Sequence, residues 1–194
     1  MPRLFTALEI PRDAALSLSL LRGGLPGARW IDIENYHITL RFIGDVEGRI
    51  ADDIVTGLDR VRRAGFEIRL SGVGVFGMKK PHAIWAGVAP SAELAALQAE
   101  IDRICLRNGA TPDPRKFTPH VTIARLKNAS PLEIASYLSG HGTFASSPFR
   151  VGSFVLMSAR DSVGGGPYVV EEAWPLGPSA EGAAGHAAGA GAMR

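Results

Sequence analysis

Hydrophobic and polar positions along the chain switch repeatedly between the period of a strand and the period of a helix. An apolar run at residues 3–9 stops before Pro11, which predicts a strand. Apolar residues recur at helical spacing within 47–64, which predicts an amphipathic helix. The full pattern predicts strands near 3–9, 36–43, 66–76, 82–88, 118–125, 148–158 and 167–174, and helices near 12–22, 47–64, 91–109 and from 130 onward.

Local signals mark where several of these elements begin and end. Ser130-Pro131-Leu132-Glu133 has the spacing of a capping box with proline at the first helical position, so a helix starts there. Gly65 is placed to end the helix predicted near 47–64. Gly164-Gly165-Gly166 predicts the turn between the last two strands.

A four-residue motif occurs twice, as His37-Ile38-Thr39-Leu40 and as His120-Val121-Thr122-Ile123. Alternate side chains of a strand share one face, so each motif presents His and Thr together and points its apolar residues into a core. The motifs are 83 residues apart, and Phe66 and Phe149 are separated by the same interval. We therefore expect two β-α-β-α-β repeats.

The repeats predict an α+β fold. We place them at about 3–83 and 84–176, as a bilobal, pseudo-twofold duplication whose mainly antiparallel sheets flank a central cleft. Residues 1–176 then form the folded domain. Residues 177–194 are mostly Gly, Ala, Pro and Ser, and we expect a disordered Gly/Ala-rich tail.

Composition narrows the classes of function. The 194 residues are 46% hydrophobic, which is enough for a sizeable core. A net charge of +2 makes no global polycation, so any anion site must be a local patch. Cys105 is the single cysteine, which excludes an intramolecular disulfide and suits the reducing cytoplasm. We find neither a signal peptide nor a membrane-length apolar run, so we expect a cytoplasmic protein.

Two facing His-Thr pairs suit acid–base chemistry at an anionic centre. One imidazole can take a proton from a nucleophile while the other protonates a leaving oxygen. A Thr hydroxyl can hold a phosphate oxygen, so phosphoryl chemistry fits. Two purely structural histidines are the simpler alternative. A zinc site is a third alternative. Zinc needs three protein ligands as a rule, and once His186 is set aside with the tail only His82 and His141 are spare, so we expect no metal.

Basic and aromatic residues flank the motifs. By strand parity Arg41 shares the face of His37, whereas Arg125, five residues after His120, faces away unless a bulge intervenes. Lys79 and Lys80 lie in the loop between the repeats, either solvated or forming a positive rim for RNA phosphates. Two aromatic residues, Phe5 and Phe42, belong either to the core or to a surface that stacks a base.

The two motifs and their surroundings resemble a known family. The paired His-x-Thr-x motifs resemble those of the two-histidine (2H) phosphoesterases. The contexts are similar to the bacterial and archaeal RNA 2′,3′-cyclic phosphodiesterases, formerly called 2′-5′ RNA ligases, over about residues 3–176. The segments that carry the likeness are Arg3 to Leu8, Asn35-Tyr36, Arg41 to Gly44, Leu70 to Phe76, Trp85 to Val88 and Phe117 to His120.

The resemblance implies a reaction and a role for each residue. Family members open a 2′,3′-cyclic phosphate at an RNA 3′ end to leave a 2′-phosphate, with no metal and no cofactor. By that pattern His37 is the proton donor to the departing 3′ oxygen and His120 is the base that activates water. Thr39 and Thr122 would hold phosphate oxygens, and Arg125 would contact the phosphate as well.

Several alternatives remain open at this point. The same site could ligate RNA by the reverse reaction, or act on small cyclic nucleotides. A different class of protein, a non-catalytic binder of RNA ends or nucleotides, would need the Thr and Arg contacts but not two proton-transfer groups. We expect a monomer whose partner is the RNA 3′ end bearing a 2′,3′-cyclic phosphate, with no membrane involved.

Overall fold

The two histidine motifs lie on neighbouring strands of one antiparallel sheet. The computed structural model describes residues 3–77, 79–159 and 166–178. The strands are β1 Arg3–Glu9, β2 Ala28–Trp30, β3 His37–Gly44, β4 Phe66–Ile68, β5 Leu70–Phe76, β6 Ala83–Val88, β7 His120–Leu126, β8 Phe149–Val151, β9 Ser153–Ala159 and β10 Tyr168–Pro175. The helices are α1 Arg12–Ser19, α2 Gly48–Leu58, α3 Ala92–Arg107 and α4 Pro131–His141. Two predictions lie mostly outside the described residues: the turn at Gly164-Gly165-Gly166 and the disordered tail at 177–194. At the start of that tail Gly177 is ordered, since its backbone exchanges hydrogen bonds with Arg63 and Gly65.

The main sheet runs in the order β10-β9-β1-β3-β7-β6-β5, with β2 paired to β7. Each pairing between these strands is antiparallel. Strands β4 and β8 form a separate two-stranded sheet. The predicted α+β class with mainly antiparallel strands is confirmed.

Two strand pairings lie on a pseudo-twofold axis. Ile38 of β3 pairs with Val121 of β7, and Glu67 of β4 pairs with Arg150 of β8. In both cases the partners are 83 residues apart, the same interval as the two motifs. Equivalent residues can face each other in this way only where a twofold axis passes between them. The boundaries of the repeats stay a prediction.

Each half of the main sheet contains strands from both predicted repeats. Strand β5 of the first repeat lies beside β6 of the second, and β9 of the second lies beside β1 of the first. The halves meet where β3 pairs with β7. This exchange ties the two halves together by backbone hydrogen bonds and brings the two motifs to the middle of the sheet.

The helices follow their sequence signals closely. The Oγ of Ser130 accepts the Glu133 N–H while the Glu133 carboxylate accepts the Ser130 N–H, so α4 begins with the predicted capping box. Helix α3 buries one apolar stripe. Helix α2 ends at Leu58 rather than near 64, because the chain tightens into turns that bond Arg60 to Gly57 and Val61 to Leu58.

Both motif strands contain extra residues relative to their neighbours. Strand β3 has two, one of them at Ile43 between the partners of Leu4 and Phe5, and β7 has one. Between Thr6 and Ala7 of β1, and between Ile84 and Trp85 of β6, the register shifts by one residue. The extra residues are in β3 and β7, where Leu40-Arg41 and Ile123-Ala124 are consecutive buried positions. Beyond each bulge the alternation of faces is inverted.

Candidate active site

The four polar side chains of the motifs share the face of the sheet opposite the helices. Ile38 and Val121 are fully buried in the main core, on the helix side. Their pairing places His37 across from Thr122 and Thr39 across from His120. The two imidazoles are therefore diagonal neighbours, a relation that puts Cα atoms roughly 7–8 Å apart. Each histidine lies beside the other motif's hydroxyl.

Each imidazole is oriented by a backbone carbonyl two residues earlier. The Nδ1 of His37 lies 2.8 Å from the Asn35 oxygen, and the Nδ1 of His120 lies 2.7 Å from the Thr118 oxygen. A carbonyl can only accept, so Nδ1 carries a proton in both rings. The Nε2 atoms are then left for proton transfer, as a base when neutral and as an acid when protonated.

Burial lowers the pKa of both histidines. For His37 desolvation is the largest cause, and the positive charges of His120 and Arg125 add to it, while the hydrogen bond to Asn35 raises the pKa. For His120 desolvation again comes first and Arg125 adds to it, against the hydrogen bond to Thr118. The free site thus favours neutral imidazoles, and an anion bound between them would raise both pKa values.

Aromatic rings enclose both histidines. The ring centroids of Phe5 and Tyr168 lie 5.1 and 4.9 Å from that of His37. On the other side Phe76 meets His120 edge-on at 4.7 Å, with Trp85 at 6.2 Å. These rings cause the desolvation that lowers the histidine pKa values.

Arg125 lies on the histidine face. The bulge at Ile123-Ala124 restores it to the side of His120, and its charge acts on both imidazoles. Sequence parity placed Arg125 on the histidine face only if a bulge intervened in the strand, and the structure contains that bulge. Its role as a phosphate contact stays a prediction.

Arg41 does not lie on the histidine face, so the prediction from parity was wrong. The bulge in β3 turns its side chain into the helix layer, where it is only 4% exposed. Its Nε lies 2.6 Å from the Asp102 carboxylate on α3, and its terminal nitrogens donate to the Thr111 and Phe42 oxygens at 2.5 and 2.8 Å. Arg41 therefore clamps the loop before β7 to the sheet and is not placed to contact a substrate.

The same bulge exposes Phe42. Its side chain is 47% exposed, 5.8 Å from Phe5, and the Arg115 guanidinium lies 5.4 Å above its ring. Phe5 is only 3% exposed, so it supports His37 and offers almost no surface of its own. Of the two predicted aromatic contacts, Phe42 is the one that is accessible.

Lys79 and Lys80 are exposed at the tip between β5 and β6. The tip connects to the site through Phe76, whose ring lies between His82 at 6.3 Å and His120 at 4.7 Å. The contact of the two lysines with RNA phosphates stays a prediction.

Sequence reasoning did not single out Tyr168, Phe76 or Trp85 as neighbours of the histidines. Phe76 and Trp85 stand in segments that carried the family resemblance, and this was their only signal. Tyr168 reaches His37 from the last strand, where its N–H lies 3.4 Å from the Asn35 side-chain oxygen.

The described residues contain no group of three or more His, Cys, Asp or Glu side chains arranged to hold a metal ion. Among the same residues, every helix is too short or too polar to cross a bilayer.

The fold and site define an α+β protein with paired His-Thr strands at the centre of an antiparallel sheet. Residues 33–162 match the model of the 2′-5′ RNA ligase superfamily, and the chain belongs to that family. It is 39% identical over 122 residues to the RNA 2′,3′-cyclic phosphodiesterase of Aeropyrum pernix, covering 62% of this chain and 69% of that protein.

A second relative and one solved structure extend the likeness. The RNA 2′,3′-cyclic phosphodiesterase of Aquifex aeolicus is 30% identical over 154 residues, covering 77% of this chain and 82% of that protein. The crystal structure of E. coli LigT complexed with 3′-AMP superposes with a TM-score of 0.74 at 24% identity, covering 91% of this chain and 99% of LigT. At 24% identity this likeness establishes a shared fold and nothing about function.

Proposed function

We propose that this protein hydrolyses the 2′,3′-cyclic phosphodiester at RNA 3′ ends to a 2′-phosphomonoester by two-histidine acid–base catalysis. The observation that carries the proposal is the matched pair of imidazoles. Each is fixed through Nδ1 to a backbone carbonyl, and the two are diagonal neighbours on one face. Relatives named RNA 2′,3′-cyclic phosphodiesterase support the choice of substrate.

The reaction is an in-line displacement at phosphorus. His120 takes a proton from the attacking water while the new P–O bond forms. The bond from phosphorus to the 3′ oxygen breaks, and His37 gives its proton to that oxygen. The cycle leaves His120 protonated and His37 neutral, and exchange with solvent restores both. The assignment of donor and acceptor rests on the family resemblance, because both imidazoles are bonded through Nδ1 to a backbone carbonyl in the same way.

The neighbouring side chains suit the charge of the transition state. Thr39 and Thr122 lie beside the imidazoles on the same face and would donate to the non-bridging phosphate oxygens. Arg125 would balance the negative charge there. The anion itself raises the pKa of His37, which allows a buried imidazole to hold the proton it must donate. No step needs a metal, so activity in EDTA is part of the proposal.

Other possibilities share the same residues. Ligation would replace water with an RNA 5′-hydroxyl at the same site, and small cyclic nucleotides would present the same reacting group. We further propose a monomer acting in the cytoplasm, a reducing compartment that suits the free thiol of Cys105. A non-catalytic binder of RNA ends is the rival from a different class.

The test is an oligoribonucleotide with a 2′,3′-cyclic phosphate, incubated with EDTA. Each of His37→Ala and His120→Ala should lose at least a hundredfold in kcat, because positioned acids and bases contribute about 10²–10⁴-fold. His141→Ala is the matched control. That ring is also tied through Nδ1 to a carbonyl, Tyr137 at 2.8 Å, but on α4. Normal turnover by either motif variant would exclude the mechanism, and tight binding without turnover by the parent protein would favour the binder.

A further inference from the structure

Arg29 lies beside Arg125 on the histidine face. Strand β2 pairs with β7 in a register that sets Arg29 directly across from Arg125. Its neighbours Ala28 and Trp30 pack against the main core, and the Trp30 ring lies 6.0 Å from Tyr137 of α4. Alternation along β2 therefore turns Arg29 to the opposite face, which is also the face of the two histidines.

Two arginines in register on one face concentrate positive charge there. Residues directly opposite on an antiparallel pair have Cβ atoms about 4.5–5.5 Å apart. None of the ion pairs among the described residues includes Arg29. A phosphate beside Arg29 would gain a charge-assisted contact there, next to the phosphate expected at Arg125.

A cavity of about 400 Å³ opens beside Arg29. Its wall includes Trp30, Asp32 and Asn35, and Gly166-Pro167 close it from the segment before β10. Asn35 is also the residue whose carbonyl orients His37. The cavity therefore borders the catalytic face rather than a remote surface.

The chemistry of this wall fits a nucleotide better than a free polyanion. Arg29 offers a cation for one phosphate, while the Asp32 carboxylate can accept a hydrogen bond from a sugar hydroxyl or a base amino group. The Asn35 amide can donate or accept, although its oxygen already lies 3.4 Å from the Tyr168 N–H. A cation and a hydrogen-bond acceptor side by side are groups that a nucleoside with a phosphate needs.

We propose that Arg29 and this cavity form a second phosphate subsite. It takes the phosphodiester and nucleoside on the 5′ side of the terminal nucleotide, one strand away from the reacting phosphate at Arg125. The inference rests on the proposed function for the identity of the substrate. Its consequence is a preference for oligonucleotides over mononucleoside 2′,3′-cyclic phosphates.

The experiment compares a mononucleoside 2′,3′-cyclic phosphate with a trinucleotide that ends in the same cyclic nucleotide. In Arg29→Ala the ratio of kcat/KM, trinucleotide over mononucleotide, should fall about tenfold, as expected for one charge-assisted contact. Arg29→Lys should retain most of the ratio. Arg103→Ala, an exposed arginine of α3 in the helix layer, is the matched control and should leave the ratio unchanged.

Salt dependence and direct binding complete the test. The slope of log kcat/KM for the trinucleotide against log salt should flatten by about 0.7 in Arg29→Ala, the value for one phosphate contact of a single strand. Binding of a trinucleotide that ends in a 2′-phosphate should weaken by a similar factor, measured by fluorescence anisotropy. If the parent protein shows no hydrolysis and Arg29→Ala still weakens this binding, the proposed function is overturned and the subsite stands. An unchanged ratio, slope and binding constant in Arg29→Ala would overturn the subsite.

Discussion

The clamp formed by Arg41 gives a prediction that separates a structural role from substrate binding. Arg41 is 4% exposed, and its Nε lies 2.6 Å from the Asp102 carboxylate. Asp102→Asn keeps the shape of the side chain and removes its charge. The variant therefore leaves a buried guanidinium without its nearest counter-ion.

The magnitude follows from the contacts that remain. Breaking a fully buried ion pair from one side costs about 3–5 kcal/mol. The Asp102 side chain is 34% exposed, so solvent screens part of the charge. Arg41 also keeps the Thr111 and Phe42 carbonyl oxygens as acceptors, and the Asp113 carboxylate lies 3.9 Å from its Nη1. We expect Asp102→Asn to lower the free energy of unfolding by about 2 kcal/mol, which is a fall of about 4–8 °C in Tm.

Urea unfolding monitored by circular dichroism measures this loss as a lower midpoint at constant slope. Asp53→Asn, an exposed residue of α2, is the matched control and should stay within about 0.5 kcal/mol of the parent protein. The clamp also steadies the loop that leads to Thr118, the acceptor for His120. We therefore expect kcat to fall more than KM rises. Unchanged stability together with a raised KM would refute the clamp and indicate that Arg41 contacts the substrate.

Four further predictions concern the site and the core. Burial lowers the pKa of both motif histidines below 6.5, so below that pH the unfolded chain binds more protons than the folded chain. The urea concentration at the unfolding midpoint should therefore fall as the pH drops from about 6.5 toward the pKa values of the folded state. For the same reason the bell-shaped pH profile of kcat/KM should peak below about pH 6.5. The profile of kcat should peak at a higher pH, because bound phosphate raises the pKa of both histidines. Coincident profiles would contradict this. A Cβ at Gly74 would lie 2.2 Å from the Trp85 ring, so Gly74→Ala should cost about 1–3 kcal/mol and alter near-UV circular dichroism, whereas Gly140→Ala, in open space on α4, should be neutral or stabilising. The thiol of Cys105 is buried with a pKa raised to about 11, so it should react with a disulfide reagent only at the rate of unfolding; fast labelling of the native protein would contradict its burial.

Period and capping signals predicted most of the elements and the pairing of His with Thr. The strand at 3–9 and the start of the helix at Pro131 match the structure, because an apolar run and a capping box act locally. The short strand β2 was missed, since three residues are too few to show a period. Its place beside β7 is a long-range pairing that no local signal encodes.

The bulges set the limit of sequence reasoning at the site. An extra residue in β3 and in β7 leaves no mark in an apolar pattern, because Leu40 and Ile123 suit a core on either reading. Yet each bulge decides which side chain reaches the histidine face. Strict parity selected Arg41 and excluded Arg125, and the bulges reverse both outcomes.

The central claim is that two histidines open a cyclic phosphate by direct attack of water. The most direct measurement is the hydrolysis of an oligoribonucleotide 2′,3′-cyclic phosphate in ¹⁸O-labelled water with EDTA, followed by ³¹P NMR and mass spectrometry. We expect one ¹⁸O atom in a 2′-phosphate and a free 3′-hydroxyl. A 3′-phosphate, or turnover that appears only when a divalent metal is added back, would contradict it.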